Sequence, residues 1–230
     1  RRIFALGLPI AGIMLLEFGV FSAAIMLIGW IGTTALAAHH VAIQIPHITF
    51  MIPLGIGQAA TVRVGHAVGR RDPVGARRAG WMALAMGGSF MAAMAVVMLA
   101  VPETLASAFV DARDPASGGL IQAAVTLLMV AAAFQIFDGL QAIGAGALRG
   151  LNDTTVPMVM AGVFYWGVAF VLAWFLGIRQ GWGVVGVWTG LAVGLGIMAV
   201  ALVLRFWLLT RRGYIPDMPD PGPAGRQASL

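Results

Sequence analysis

Six stretches of this sequence run for more than twenty residues each with at most one Asp, Glu or Arg apiece. They fall at about residues 3–31, 41–64, 79–101, 120–148, 156–178 and 184–209. A helix of about 20 mostly apolar residues is long enough to cross the hydrocarbon core of a bilayer. The rest of the chain offers little to set against them. Of the 230 residues 60% are hydrophobic and only 10% are charged, where a soluble domain carries about 25%. Such a chain cannot bury its apolar surface and still show water a polar exterior. That excludes a soluble globular enzyme and a disordered chain alike. The expected fold is an all-α integral membrane protein, a bundle of six transmembrane helices over residues 1–210. The tail, 211–230, is rich in Pro and reads as disordered and loosely held.

Charge sets the orientation. All 14 basic residues are Arg. With the N-terminus cytoplasmic, 12 of the 14 lie on the cytoplasmic side, and only Arg113 and Arg179 lie outside. The outer loop after the third span also carries Glu103, Asp111 and Asp114. The positive-inside rule therefore places both ends of a multi-pass membrane protein in the cytoplasm; the bacterial inner membrane is what the family resemblance given below implies. The Arg residues flank apolar runs instead of forming one basic face, so nucleic acid is not an expected partner. The chain has no Cys, which excludes disulfides, thiolate metal sites and Cys nucleophiles.

Small residues mark how the helices pack. Gly186, Gly190 and Gly194 repeat every four residues along one face of the sixth span, and Gly146 and Gly150 do so near the end of the fourth. That spacing lets membrane helices approach closely. Pro9, Pro46, Pro53 and Pro157 lie in or at the ends of spans, where each removes a backbone donor.

Seven of the nine acidic residues sit in breaks or the tail, but Glu17 and Asp138 do not. At 1.5 Å of rise per residue, Glu17 lies roughly 20 Å into its span and Asp138 about 15 Å from the end of its own. A carboxylate at that depth costs at least about 2.5–3.5 kcal/mol. No Arg lies mid-span to offset it. The remaining ways to compensate are a proton, a bound cation, or a partner group from elsewhere in the protein. A site neutralised by H⁺ or Na⁺ is what cation coupling requires, so Glu17 and Asp138 are the candidate coupling residues. Gln44, Gln58, Gln135 and Gln141 are weaker candidates for lining a cavity. Gln135 and Gln141 stand three residues either side of Asp138 and share its side of the helix. Met14, Phe18, Phe134 and Phe137 would give such a cavity adaptable apolar walls. His39 and His40 read as residues of a wet outer loop. There is no G-x-S-x-G, no H-E-x-x-H and no P-loop, so an enzyme is not expected.

Three segments then look familiar: ALAAHHVAIQI at 35–45, MIPLGIGQAATVRVGHAVGRRD at 51–72 and FQIFDGLQAIGAGALRGLNDTTVPM at 134–158. In this order and spacing they resemble the second half of multidrug and toxic compound extrusion (MATE) transporters, closest to the NorM-like bacterial branch. The resemblance covers about residues 1–210. It implies twelve helices in two six-helix lobes that exchange Na⁺ or H⁺ for organic, often cationic, drug-like compounds. It places the family's acidic residues of helices seven and ten on Glu17 and Asp138. The substrate cavity is expected to include Gln44, Phe134, Gln135 and Gln141. No cofactor is implied beyond the coupling ion. The family often has a Tyr one turn before the helix-ten Asp. Here that position is Phe134, which shifts weight from Na⁺ toward H⁺. The resemblance also implies a partner besides the lipid bilayer, the N-terminal six-helix lobe, and with Arg at position 1 the chain is expected to be a piece of a longer protein. Two other readings stay open. One is a lipid-linked oligosaccharide flippase of the same superfamily, which would want basic residues to hold pyrophosphate. The other is a non-transporting half-protein.

Overall fold

The computed structural model describes residues 2–110 and 118–214. Asp111, Arg113 and Asp114, and the tail beyond 214, lie outside these residues. All the regular structure among the described residues is helical. It comprises α1 (Arg2–Ile31), α2 (Thr33–Gly69), α3 (Pro73–Ala100), a short α4 (Pro102–Ser107), α5 (Gly118–Gly150), α6 (Thr155–Arg179) and α7 (Gly183–Arg211). All but α4 are long and apolar enough to cross a membrane.

Where the breaks fall differs from the hydropathy reading. The polar stretch 32–40 is not a loop. Only Gly32 interrupts the chain, at a φ of 152°, and α2 starts at Thr33. Its first turns read TTALAAHH, whose Ala and Leu are strong helix formers. Hydropathy detects where hydrocarbon ends, not where a helix ends. At 37 residues α2 is the longest helix. It measures about 55 Å against a hydrocarbon core of about 30 Å, so it tilts or projects beyond the core. The next break is also short. Arg71 takes a left-handed φ of 55°, and Asp72 caps α3 by accepting from the Gly75 N–H at 2.8 Å. Pro73 follows at the first helical position, where its missing N–H costs nothing.

The bundle is built around α5, which packs most extensively on α2 and α7 and also on α3. The small-residue faces lie at these crossings. A β-carbon on Gly146 would run into the backbone of Gly57 on α2. One on Gly150 would meet the Val64 side chain at 2.7 Å and the Thr61 carbonyl at 2.9 Å. The Thr61 hydroxyl donates across the same crossing to the Gly146 carbonyl at 2.8 Å. The Gly186, Gly190 and Gly194 face of α7 lies against Leu176–Gly177, Leu172–Ala173 and Ala169 of α6. Without these glycines neither backbone pair could approach so closely.

Helix α1 stands at the side of the bundle and packs mainly on α6. Gly12 faces Met158, and Gly19 faces the Trp166 ring. Much of the rest of α1 is exposed, including Leu8, Leu15, Phe18 and Trp30. An apolar surface of this kind suits lipid or another membrane helix. Helix α6 is wound as a π-helix over Gly162–Phe170 and again over Phe175–Arg179.

Candidate functional site

The site grows from one face of α5. Phe134, Gln135, Asp138 and Gln141 follow at helical spacing, and all four side chains are buried. Gly139 lets this part of α5 seat against its neighbours. A β-carbon there would lie 2.7 Å from Met91 and 3.3 Å from Pro53.

Gln135 is held structurally. Its Oε1 lies 2.9 Å from the Thr49 hydroxyl of α2, and its Nε2 donates to the Met91 carbonyl of α3 at 3.4 Å. Pro53 lies four residues beyond Thr49 and cannot donate to the Thr49 carbonyl, so α2 departs here from a regular helical ladder. Phe134 turns its ring into an aromatic row. Phe21 of α1 meets it edge-on at 6.1 Å, and Trp188 of α7 lies 5.9 Å away. The Trp188 indole then donates to His39 Nδ1 at 3.1 Å. His39 is therefore buried within the bundle and is not a wet loop residue; His40 beside it is exposed. The row joins α1, α5, α7 and α2.

Asp138 lies one turn deeper than Phe134. Glu17, on α1, comes within electrostatic reach of it. The Gln141 side chain lies beside both Glu17 and Tyr165 of α6. The two carboxyls singled out on insertion cost thus come within electrostatic reach of each other from different helices. Glu17 is half-buried, and its neighbours Met14 and Phe18 are exposed. Asp138 is buried. Helix α1 is fixed at this level by α6, because the Trp166 indole donates to the Leu16 carbonyl at 3.3 Å, one residue before Glu17.

Other polar and aromatic residues singled out in the sequence lie outside this group. Gln44 and Gln58 are exposed on α2. Phe137 lines an apolar groove of about 640 Å³ between α5 and α7, shared with Val130, Gly196 and Val200. Among the described residues no three His, Asp or Glu side chains gather as a metal cluster. The cluster offers two carboxyls, an amide and a phenol.

The phenol is the residue that sequence reasoning passed over. Tyr165 is fully buried. The chain has only two Tyr, and this one sits in the middle of an apolar run, which was the available signal. At the far end of the bundle, Arg205 of α7 pairs with Asp153 in the turn after α5.

Comparisons with known proteins give the family and the fold. The MatE family model matches residues 9–175. A probable multidrug resistance protein NorM from Mesorhizobium japonicum is 52% identical over 203 residues, which cover 88% of this chain and 43% of that protein. Its counterpart from Bradyrhizobium diazoefficiens is 49% identical over 212 residues, covering 92% and 45%. The chain therefore spans about half the length of the curated relatives it matches. Among solved structures, a eukaryotic MATE transporter superposes with a TM-score of 0.79 at 21% identity, over 91% of this chain and 47% of that one. A MATE structure in the straight conformation gives a TM-score of 0.83 at 16% identity, over 92% and 46%. These two likenesses show the fold.

Proposed function

Since this chain belongs to the MatE family, we propose that it acts as one six-helix half of a cation-coupled multidrug efflux antiporter. One observation carries the reading: Glu17 of α1 lies within electrostatic reach of Asp138 of α5, so the two carboxyls placed deep in spans act on one another. Two acids brought together in a medium of low dielectric demand a cation. H⁺ or Na⁺ moving inward down its gradient loads the cluster and neutralises it. The neutralised site holds an organic cation less strongly, so loading favours the state that releases substrate outside. The exposed Met14 and Phe18 beside Glu17 give an apolar compound a wall that repacks easily. The aromatic row of Phe21, Phe134 and Trp188 lies one turn along α5 from Asp138.

Both termini of the fragment are cytoplasmic in this reading, as the 12 of 14 Arg on that side require. The other six-helix lobe completes the cavity, and rocking of one lobe against the other supplies alternating access. A flippase for pyrophosphate-linked sugars would need cationic side chains where this cluster is acidic. The test uses the complete two-lobe transporter in a drug-sensitive host. Glu17→Gln and Asp138→Asn are each expected to abolish drug resistance at unchanged expression. Full resistance from both variants would overturn the proposal.

A further inference from the structure

The groove between α5 and α7 is lined by no ionisable side chain. On α7 its wall includes Val193, Ile197, Val200 and Leu204, a stripe at helical steps of four and three residues. The one hydroxyl in the wall, Thr189, donates to the Val185 carbonyl of its own helix at 2.7 Å. The groove therefore asks for no hydrogen-bond partner and offers no acid to a cationic compound. Its chemistry fits a hydrocarbon chain.

The stripe continues past Leu204. Three and seven residues further on it reaches Trp207 and Arg211, and the Arg211 guanidinium sits over the Trp207 ring at 5.1 Å. Arg211 thus stands about 10 Å beyond Leu204 along the helix, at one mouth of the groove. Helix α3 brings more positive charge to the same end. The Trp81 ring meets Phe206 of α7 edge-on at 6.4 Å, and a β-carbon on Gly80 would run into the same Phe206 ring. Arg77 comes one turn before Gly80 and Trp81 and shares their face, so it lies at the depth of Arg211 on the neighbouring helix. Arg70, Arg71, Arg78 and Arg212 add to this rim, and all six guanidinium side chains are exposed. Two acids at this end are already committed: Asp72 accepts from the Gly75 N–H, and Asp153 pairs with Arg205. At the opposite end neither α5 nor α7 begins with a basic residue. A basic rim beside membrane helices attracts anionic lipid headgroups, and here the rim lies at the mouth of a groove shaped for a chain.

We propose that this lobe holds an anionic diacyl phospholipid, with its phosphate on the rim around Arg77 and Arg211 and one acyl chain in the groove between α5 and α7. The depths agree. One leaflet contributes about 15 Å of hydrocarbon, half of the core. A chain that starts at the rim therefore passes Leu204 and reaches the level of Val200, about 16 Å from Arg211. The site makes no use of Glu17 or Asp138.

The test puts a fluorophore at the mouth of the groove, through Leu208→Cys in the complete transporter with any other Cys replaced; Leu208 is exposed. The protein is reconstituted in phosphatidylethanolamine bilayers. Phosphatidylglycerol carrying a nitroxide on its chain is then titrated in, and nitroxide-labelled phosphatidylethanolamine serves as the neutral comparison. The anionic lipid is expected to reach half-quenching at a much lower mole fraction. Arg77→Gln combined with Arg211→Gln is expected to raise that fraction about tenfold or more, from about fivefold for each Arg at a charged surface, and to leave the neutral lipid unchanged. Val200→Trp fills the groove, and loss of the saturable quenching is expected. Equal quenching of the parent by the two lipids overturns the proposal. So does quenching by neither, which shows the groove covered by the other lobe. Displacement of the labelled lipid by an equal concentration of soluble glycerol phosphate shows an anion site without a chain, and overturns it too, as does full quenching in Val200→Trp. Should the double Arg variant fail to reach the membrane, salt gives the same readout on the parent. Exposed charges are screened, so the preference is expected to shrink as ionic strength rises, and a preference indifferent to salt overturns the proposal.

Discussion

Gly190 sits where α7 crosses α6, and this crossing allows a stability prediction with an internal control. A β-carbon at Gly190 would lie 2.5 Å from the Ala173 Cα and 2.6 Å from the Leu172 carbonyl carbon. Carbon atoms rest at about 3.5–4.0 Å, and both partners are backbone, which cannot rotate away. The helices must separate by about 1 Å, and overpacking of this kind costs about 1–3 kcal/mol. Gly196 is six residues further along the same helix. There the new β-carbon would lie 3.6 Å from the Phe137 ring, an ordinary contact. Replacing that Gly by Ala removes backbone freedom from the unfolded chain and stabilises a helix by about 0.5–1 kcal/mol. Gly190→Ala and Gly196→Ala are therefore expected to differ by about 1.5–4 kcal/mol, with opposite signs relative to the parent. Reversible unfolding of the complete transporter in mixed micelles, titrated with SDS, measures the difference. A Gly190→Ala variant as stable as Gly196→Ala would refute the packing argument, because the backbone contacts would then not control the crossing.

Two further substitutions separate structure from transport. Thr49→Val removes the hydroxyl beside Gln135 Oε1 and leaves that buried oxygen without its donor; the expected loss is about 1–3 kcal/mol of stability, with ion dependence of efflux unchanged. Asp72→Ala deletes the cap on the Gly75 N–H; the same unfolding assay should register about 0.5–2 kcal/mol, with transport intact.

Those features with a large energetic signature were legible in the sequence. Six spans follow from hydropathy because each must replace water with hydrocarbon along its whole length. Glu17 and Asp138 stand out because an acid in that setting is expensive wherever it points. The Gly186, Gly190 and Gly194 face was readable because a crossing of two backbones leaves a four-residue period. What depends on partners distant in the chain was not readable. His39 looked like a loop residue, yet it is buried by Trp188, 149 positions away. Gln135 and Gln141 looked alike, but the first is occupied by Thr49 and Met91 while the second borders both Glu17 and Tyr165. Tyr165 gave little sign because one phenol in an apolar run carries no large insertion cost. The π winding of Gly162–Phe170 that contains it leaves no period in the sequence. The helical course of 33–40 was hidden for a different reason: polar residues at a membrane edge are compatible with either a loop or a helix.

The central claim is that the paired carboxyls carry the ion that drives export. Its most direct test is efflux of an organic cation from proteoliposomes in which Na⁺ and pH gradients are imposed one at a time, comparing the parent with Glu17→Gln. The parent is expected to export under at least one inward gradient, and Glu17→Gln is expected to export under neither while still binding the organic cation. Equal gradient-driven export by both proteins would contradict the claim.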